Sequence, residues 1–381
     1  MKKLLDYCSV SGSSVKNFSN EKKYIATGDV INNKVVSFEN VTYENKPSRA
    51  NQLAETDEIL FAKMKDTLKV LLIDDELSEN IYSTGFFVIK ANKDVVPKYL
   101  YWLFNSSKFN QDKDKNSKGA TQQAINLEGL NKILIKDIPN LEEQKKIIDK
   151  IEKAFEIIEL KKKQLQDLDE LIKSQFVEMF ENKEFPYVEF KEYMERCVDI
   201  GSNGANSIVM EHYNMTDTKD YAMVVRFTNL NSGDFVNDVK YINKEDYEFY
   251  SKSKVYGDEI IFCKIGSAGM NYIMPKLNMP VTLGLNQIMI TPKNINTRYL
   301  YEYINSNEGK KYIKNNINGA VTKTITKHAL WVFPVKTPPI ELQNKFADIV
   351  KQIDKQKFEI QKSLEEMQKL QESLMNKYFG D

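Results

Sequence analysis

The stretch that decides the organisation of this sequence reads Tyr99-Leu100-Tyr101-Trp102-Leu103-Phe104-Asn105-Ser106. It returns 200 residues later as Tyr299-Leu300-Tyr301-Glu302-Tyr303-Ile304-Asn305-Ser306. Self-similarity at one fixed offset is the signature of an internal repeat, and it has to be recognised before any single element is interpreted. The sequence therefore predicts a duplicated chain.

The same offset, with small drifts, extends through the rest of the chain. Gly119-Ala120 matches Gly319-Ala320, the Asp57–Lys63 segment matches Asp258–Lys264, and the Gln144 region matches the Gln343 region. At the start of each copy, Cys8 is matched to Cys197 and Gly12 to Gly201, which gives the second copy about eleven extra residues early on. We interpret the chain as two copies of roughly 190 residues each.

Composition sets the limits of the interpretation. With 381 residues, 41% of them hydrophobic and 28% charged, the chain can form two or three domains. It has no apolar run long enough to cross a bilayer and no secretory leader, so we expect a cytoplasmic protein. Three cysteines at wide spacing predict free thiols. Lys plus Arg equals Asp plus Glu at 54 each, so any nucleic-acid binding has to be local.

Each copy divides into two parts. The first part mixes short apolar runs with turn residues, and its strands are predicted at 57–63, 85–90, 259–265 and 287–291. Helices are predicted at 97–106 and 297–306, so this part is an α+β domain. The second part, Leu141 to about Glu181 and Ile340 to about Tyr378, has no Gly or Pro, which predicts two helices of about 40 residues.

Apolar residues in both long helices recur at alternating steps of four and three, which is the spacing of a coiled-coil seam. We expect the helices to pack on each other; two unrelated amphipathic helices, each lying on its own domain, remain the alternative. The seam is interrupted by Lys161 in the first helix and by Lys357 and Gln371 in the second. Its apolar positions are Ile147, Ile151, Ala154, Ile158, Leu165, Leu168 and Ile172, then Phe346, Val350, Ile353, Ile360, Leu364, Met367 and Leu374.

Sequence motifs of catalysis are missing. The chain has no GxxxxGK[ST], GxGxxG, GxSxG or HExxH motif, and its two histidines, His212 and His328, have no second ligand at metal-binding spacing. The Pro338-Pro339 pair does not fit the Asn/Asp-Pro-Pro-aromatic motif of an adenine methyltransferase and is better suited to the start of a helix. We predict no catalytic, cofactor-binding or metal-binding residues.

The order of these features resembles the specificity subunits of Type I restriction-modification systems. The resemblance covers essentially the whole chain. It lies in the segments 139–147 (PNLEEQKKI) and 338–346 (PPIELQNKF) before the long helices, in Gly257–Ile261 with its counterpart Thr56–Leu60, and in the loop Gly119-Ala120-Thr121-Gln122-Gln123. The second copy departs from it at Leu342, which replaces Glu143, and in its loop Gly319-Ala320-Val321-Thr322-Lys323.

The resemblance implies a non-catalytic subunit with two target-recognition domains (1–140 and 186–338) in pseudo-two-fold arrangement, separated by two long antiparallel coiled-coil helices (141–185 and 339–381). Each domain would read one half of a bipartite double-stranded DNA target, and the helices would set the gap. The partners would be modification subunits, expected to be two, and restriction or translocase subunits. S-adenosylmethionine, ATP and Mg²⁺ would belong to those partners.

Candidate DNA-contacting residues are basic, hydroxyl or amide side chains in loops that follow strands, since these can reach phosphates or base edges. Gln122 and Gln123 are the strongest candidates for base reading, because a Gln amide can pair bidentately with adenine. The candidates are Arg49, Lys63, Lys65, Lys118, Thr121, Gln122 and Gln123 in the first copy, and Arg226, Lys264, Ser267, Thr322, Lys323, Thr324 and Lys327 in the second.

Two other functions remain open at this stage. A scaffold, with a coiled coil that joins other proteins and no DNA specificity, is compatible with the neutral net charge. A nuclease or methyltransferase with a degenerate motif is the second alternative. A DNA reader differs from the scaffold in collecting its Lys and Arg on one face.

Overall fold

The computed structural model describes residues 1–380. By contacts, the chain divides into two units: unit 1 comprises Met1–Gln164 together with the chain from Ile360 onward, and unit 2 comprises Leu165–Glu359. The division falls within both long helices, so each unit contains one α+β domain, the beginning of one long helix and the end of the other.

Unit 1 is built from short strands, four short helices and parts of the two long helices. Its strands are β1 (Lys2–Lys3), β2 (Cys8–Val10), β3 (Lys22–Ile25), β4 (Val30–Ile31), β5 (Lys34–Val35), β6 (Glu39–Val41), β7 (Ala50–Gln52), β8 (Ile59–Ala62), β9 (Val70–Leu72), β10 (Ile81–Ser83), β11 (Phe86–Ala91) and β12 (Leu134–Ile135). Its short helices are α1 (Asp75–Ser78), α2 (Pro97–Phe104), α3 (Ser107–Lys115) and α4 (Leu127–Leu130). The first long helix is α5 (Leu141–Phe176), which continues as a π-helical turn over Val177–Glu181.

Unit 2 repeats this plan. Its strands are β13 (Tyr187–Glu189), β14 (Met194–Val198), β15 (Ala222–Val225), β16 (Lys240–Ile242), β17 (Lys254–Val255), β18 (Ile260–Cys263), β19 (Asn271–Ile273), β20 (Val281–Leu283), β21 (Gln287–Pro292) and β22 (Pro334–Lys336). Its short helices are α6 (Asn206–Glu211), α7 (Phe227–Ser232), α8 (Lys244–Phe249), α9 (Thr297–Asn305), α10 (Asn307–Asn315) and α11 (Lys327–Trp331). The second long helix is α12 (Ile340–Phe379).

The two domains share one sheet topology. Each has an antiparallel four-stranded sheet, ordered β2-β11-β8-β9 in the first domain and β14-β21-β18-β19 in the second. Each also has a mixed four-stranded sheet, β6-β3-β10-β7 or β16-β15-β20-β17, with one parallel pair in its centre. Because strand order and direction agree in both four-stranded sheets, the duplication predicted from the sequence is a duplication of fold.

No residue of the predicted seam is exposed in either long helix; nine of the fourteen are buried and five are half-buried. Ile151 and Val350 are each 1% exposed. In unit 1, the last turn of α12 enters the domain core, where Phe379 packs edge-on against Tyr99 and shares a cluster with Ile147 at the start of α5. In unit 2, Phe176 at the end of α5 packs against Phe346 near the start of α12. The helices are therefore antiparallel within each unit, and the alternative of two unrelated helices is wrong.

A buried glutamine fixes the start of each long helix. Gln144 is fully buried; its side-chain oxygen accepts from the Val96 amide at 2.7 Å, and its amide nitrogen donates to the carbonyls of Asp94 and Pro139. Gln343 makes two equivalent bonds, to the Asn296 amide at 2.9 Å and to the Pro338 carbonyl at 2.8 Å. The glutamine of the helix-entry segment thus joins each long helix to the preceding domain, which explains why it is present in both copies.

The sheet register corrects one detail of the repeat. Val10 pairs with Ile89 on β11, whereas Cys197 pairs with Ile290, the counterpart of Ile89 on β21. Cys197 is thus equivalent to Val10, and the match of Cys8 to Cys197 is wrong by two residues. The companion match also fails, since Gly12 has φ +89° and Gly201 does not have a positive φ. The register of β14 is itself irregular between Met194 and Arg196.

The predicted elements otherwise agree with the structure. The strands at 57–63, 85–90, 259–265 and 287–291 are β8, β11, β18 and β21, and the helices at 97–106 and 297–306 are α2 and α9. The fold class is confirmed: two α+β domains in tandem with two long antiparallel helices.

Candidate nucleic-acid interface

The candidate residues of the first domain meet at one edge of its antiparallel sheet. Strands β2 and β8 both run opposite to β11, which lies between them, so the ends of β2 and β8 and the start of β11 share an edge. Three backbone hydrogen bonds join the surrounding loops: the Lys63 amide to the Gly85 carbonyl, the Thr84 amide to the Arg49 carbonyl and the Lys65 amide to the Gln123 carbonyl, at 2.9 to 3.0 Å. We call this surface loop edge 1, comprising Arg49, Lys63–Lys65, Thr84-Gly85 and residues 118–124.

The loop of residues 118–124 is closed by two backbone hydrogen bonds between Lys118 and Ala124, both 3.0 Å long. Gly119 turns the chain with φ +138°, and a Cβ at this position would lie 2.2 Å from the Gln122 carbonyl oxygen. The second domain closes the same loop between Asn318 and Thr324, with Gly319 at φ +99°. The repeated glycine is therefore a requirement of the turn, and it leaves the side chains of Thr121, Gln122 and Gln123 exposed.

The basic side chains of loop edge 1 differ in how they are held. Arg49 is exposed, while Lys63 is half-buried, donates from Nζ to the Thr84 carbonyl at 2.8 Å and lies 4.5 Å from the centre of the Phe87 ring. Burial lowers the pKa of Lys63. Lys118 pairs with Glu128 at 3.1 Å. Hydrogen bonds from Lys132 and Lys118 lower the pKa of Glu128 to about 2.

Lys113 is a polar residue of this region that the sequence interpretation missed. Its side chain is 1% exposed, and its ammonium group donates to the carbonyls of Met64 and Thr67, which flank Lys65 in the β8–β9 turn. The corresponding residue in the second domain is Ile313, which is also buried and lies against Gly269. Because α3 is rich in polar residues, the sequence around Lys113 does not indicate that this lysine is buried. The only indication is that the matching residue of the other copy is an isoleucine, Ile313.

The second domain places its candidates at the corresponding edge. The Lys264 amide donates to the Asn286 carbonyl at 2.7 Å, the Ile325 amide to the Lys264 carbonyl at 3.0 Å, and the Gly266 amide to the Lys323 carbonyl at 3.0 Å. These bonds bring together the ends of β18, the start of β21 and the loop of residues 318–324. We call this surface loop edge 2, comprising Lys264–Ser267, residues 318–324, Lys327 and Asp199. Ser267, Thr322 and Lys323 are exposed there.

Asp199 is the second residue that the sequence interpretation missed. Its carboxylate binds Lys264 Nζ through Oδ2 and Lys327 Nζ through Oδ1, both at 2.7 Å. Burial alone would raise the pKa of Asp199, but the hydrogen bonds from the two lysines outweigh it and lower the pKa to about 2. Two of the seven candidates in this copy are therefore engaged by an internal carboxylate. The sequence alone could not predict these pairs, because Asp199 lies 65 residues from Lys264 and 128 residues from Lys327 along the chain.

Arg226 follows β15 and is linked to loop edge 2 through the turn after β20, where Gly284 lies against the Val225 carbonyl. Its guanidinium forms an ion pair with Asp238 at 3.1 Å. The parallel pairing of β15 with β20 makes Ala26 the counterpart of Arg226 in the first domain. Arg49 instead lies in the turn directly before β7. The two arginines are thus not equivalent.

The chemistry available at both edges is that of recognition. Ammonium, guanidinium, hydroxyl and amide groups can meet phosphates and base edges. Among residues 1–380, no group of three or more His, Cys, Asp or Glu side chains could hold a metal ion. Within the same range, no helix is long and apolar enough to cross a membrane. The three cysteines are free thiols, and burial raises the pKa of each, that of Cys8 to about 12.

Comparison with known proteins gives a consistent result. The family model described as "Type I restriction modification DNA specificity domain" matches twice, over residues 7–170 and 205–370. The specificity subunit of the Type I restriction enzyme HindI from Haemophilus influenzae is 28% identical over 161 residues, which is 41% of this chain and 35% of that protein. The putative MjaX specificity subunit from Methanocaldococcus jannaschii is 25% identical over 333 residues, covering 81% of this chain and 73% of the relative.

The chain thus spans about a third of the length of the Haemophilus relative and about three quarters of that from Methanocaldococcus. A solved structure from work on complex assembly and conformational transition of a type I R-M system is similar in fold. It superposes with a TM-score of 0.64 at 19% identity, over 99% of this chain and 96% of the other.

Proposed function

Because this chain belongs to the family of Type I restriction-modification DNA specificity domains, with both of its halves matched, we propose that it reads a bipartite target in double-stranded DNA. Each domain would read one half-site through its loop edge. The observation that carries the proposal is the double match of the specificity domain onto two domains whose four-stranded sheets have the same topology. The duplicated fold supports two separate reading domains, one for each half-site.

The exposed loops support separate half-sites. The scaffold of the loop is the same in both copies, since the closing hydrogen bonds and the positive-φ glycine are repeated. The tips differ: Thr121-Gln122-Gln123 is rich in amides, whereas Val321-Thr322-Lys323 has a fully exposed valine and a lysine. Since base identity is read by the donors and acceptors that a side chain presents, two tips of different chemistry fit two different sequences.

The long helices fit a spacing and docking role. At 1.5 Å per residue, the 36 residues of α5 extend about 54 Å and the 40 residues of α12 about 60 Å. Two major-groove readers on one face of B-DNA need centres about 34 Å apart, so helices of this length are long enough to keep two domains apart by such a distance. We propose that the pair sets the gap between the half-sites and docks modification subunits, of which we expect two.

Catalysis would belong to the partners. We propose that the chain itself neither methylates nor cleaves DNA and that it acts in the cytoplasm, bringing modification subunits and restriction or translocase subunits to the target. Those subunits would use S-adenosylmethionine, ATP and Mg²⁺. The support from this chain is the chemistry of the loop edges, where the clustered polar groups are suited to binding and Lys118, Lys264 and Lys327 are held in ion pairs.

The test is to co-express the chain with its cognate modification subunit and to map methylated adenines in the host genome by long-read sequencing. We expect one split motif, with two specified parts separated by a fixed run of unspecified bases. A continuous motif, or methylation without sequence preference, would contradict the proposal. The purified chain alone, given S-adenosylmethionine and DNA, should transfer no methyl group, and this serves as the control.

A further inference from the structure

Three separate segments converge at loop edge 2. Asp199 follows the end of β14, Lys264 follows the end of β18, and Lys327 opens α11. Since β14 and β18 both run antiparallel to β21 between them, their ends lie at the same edge. The convergence is therefore a property of the sheet.

Both oxygens of the Asp199 carboxylate accept a hydrogen bond from one of these lysines. One oxygen accepts from Lys264 Nζ and the other from Lys327 Nζ, each at 2.7 Å. Lys327 Nζ also donates to Ser202 Oγ at 2.8 Å. The side chain of Asp199 is 13% exposed, and those of Lys264 and Lys327 are 36% and 26% exposed. The lysines thus reach the surface while their charges face an internal anion.

The donors that surround this carboxylate are those that a DNA phosphate takes, namely ammonium groups at short charge-assisted distances. A phosphate that bound Lys264 or Lys327 would have to break an existing ion pair and would lie beside a second anion. Contact with DNA at these two lysines is therefore opposed from within the domain.

The first domain has no such device at the matching position. Val198 pairs with Met289, and the Ser11 amide binds the carbonyl of Val88, which is the counterpart of Met289. Asp199 is thus equivalent to Gly12, a residue without a side chain, and Lys327 to Leu127. Lys63, the counterpart of Lys264, donates instead to a neutral carbonyl.

We propose that Asp199 is a positioning residue that withholds Lys264 and Lys327 from DNA phosphates. The second domain then reads its half-site mainly through the other residues of loop edge 2. This rests on the proposed function and deepens it. By suppressing sequence-independent attraction, Asp199 raises the ratio of specific to non-specific binding, because non-specific binding to DNA depends almost wholly on phosphate contacts. The two lysines then keep their place in the fold without adding to that attraction.

The test measures DNA affinity of the full chain in complex with its modification subunit, on target and non-target duplexes, across a range of salt concentrations. Each phosphate neutralised contributes about 0.9 to the slope of log affinity against log salt. Asp199→Asn keeps the shape of the side chain and removes its charge. We expect a slope steeper by about 1 to 2, tighter non-target binding and a smaller target preference.

Asp258→Asn is the matched control, because it also removes a carboxylate charge and frees a lysine, Lys276, from an ion pair. Asp258 lies just before β18, at the end of the strand opposite to Lys264. Asp258→Asn should leave slope and preference unchanged. A second pair of variants, Lys264→Met and Lys327→Met, leaves Asp199 in place and does not depend on the stability of Asp199→Asn. These should leave the slope of the parent complex unchanged.

Two results would overturn the proposal: an unchanged slope in a folded Asp199→Asn complex, or a slope shallower by about 1 in either lysine variant, which would mean that the lysine already contacts phosphate. If the parent complex itself shows no preference for its target, the proposed function fails instead. The two failures are thus distinguishable in one series of measurements.

Discussion

Lys63 and Lys264 occupy the same position at the end of equivalent strands, and they are held in opposite ways. Lys63 donates to a carbonyl and lies on the Phe87 ring, whereas Lys264 is paired with the carboxylate of Asp199. The backbone bonds around both are the same, since each lysine carbonyl accepts from the isoleucine after the loop, Ile125 or Ile325. The duplicated scaffold is therefore maintained by backbone hydrogen bonds, and the side chains at the edge are free to diverge in charge.

A second contrast concerns the interior. At the matching positions Lys113 and Ile313, one domain supports its β8–β9 turn with an ammonium group and the other packs an aliphatic side chain against the glycine of the corresponding turn. At the helix entry the domains agree, because Gln144 and Gln343 share two equivalent bonds, one to a backbone amide and one to a proline carbonyl. Among these contacts, those that differ lie at or under the loop edges, and those that agree lie at the junction with the long helices.

The largest effect is expected where the copies agree. Gln144→Ala removes three hydrogen bonds from a fully buried site, and Gln343→Ala removes two. At about 1 to 3 kcal/mol for each buried group left without a partner, we expect losses of about 4 and about 3 kcal/mol in the free energy of unfolding. Urea denaturation measures both. The exposed Gln164→Ala on α5 is the control, and equal losses for all three variants would show that the buried amides contribute nothing.

A smaller loss of stability is expected when the buried lysine of the first domain is replaced by the isoleucine that the second domain has at the matching position. Lys113→Ile leaves the carbonyls of Met64 and Thr67 without their donor, so the free energy of unfolding should fall by about 2 to 3 kcal/mol. Hydrogen exchange should also show faster opening of the turn that contains Lys65. Lys115→Ile, an exposed change on the same helix, is the control. If Lys113→Ile is as stable as the parent chain, the turn does not need its internal cation.

The carboxylate of Asp199 should make part of the second domain's free energy of unfolding sensitive to acid. The first domain has Gly12 at the equivalent position and lacks this contribution. The pKa of Asp199 falls from 3.8 to about 2 in the folded chain, so the stabilisation is present above about pH 4 and is lost as the pH falls to about 2. The loss amounts to about 2 kcal/mol. Unfolding free energies at pH 4 and pH 2 should therefore differ less in Asp199→Asn than in the parent chain. Equal differences in both proteins would contradict the assignment.

The smallest effect concerns the loop tips. Gln122→Ala and Gln123→Ala should relax base preference in one half-site and leave the other unchanged, because the second domain reads with its own loop. A bidentate contact discriminates by about 1 to 3 kcal/mol, and for a fully exposed loop we expect the lower end, about fivefold. The methylation map of each variant is the measurement. An unchanged methylome in both variants removes these two residues from the interface.

The sequence predicted the fold well because the signals of the fold are periodic or local. The four-and-three spacing from Ile147 to Ile172 reports a seam within one helix, and the strand at Asp57–Lys63 is recognisable from its apolar run. The start of each copy was misaligned, because two cysteines were matched by residue type, whereas strand register shows that Cys197 is equivalent to Val10.

The candidate residues remain a prediction as DNA contacts. Loops after strands could be identified from the sequence, and in each copy the structure brings the candidates other than Arg226 together at one edge. Their electrostatic state could not be predicted, since it depends on pairs such as Lys327 with Asp199 that lie far apart in the chain and meet only through the sheet. Whether a lysine faces solvent or an internal carboxylate is a property of three-dimensional contacts and leaves no trace in spacing.

The edge-on contact of Phe379 with Tyr99 has a consequence for biosynthesis. The interior of the first domain is completed by a ring that leaves the ribosome 280 residues after the tyrosine it covers. Domains synthesised first commonly fold during translation, yet this one has to wait for the second long helix before its hydrophobic surface is sealed. A premature stop a few codons before Phe379 would accordingly weaken the domain made first, at the far end of the message from the lesion.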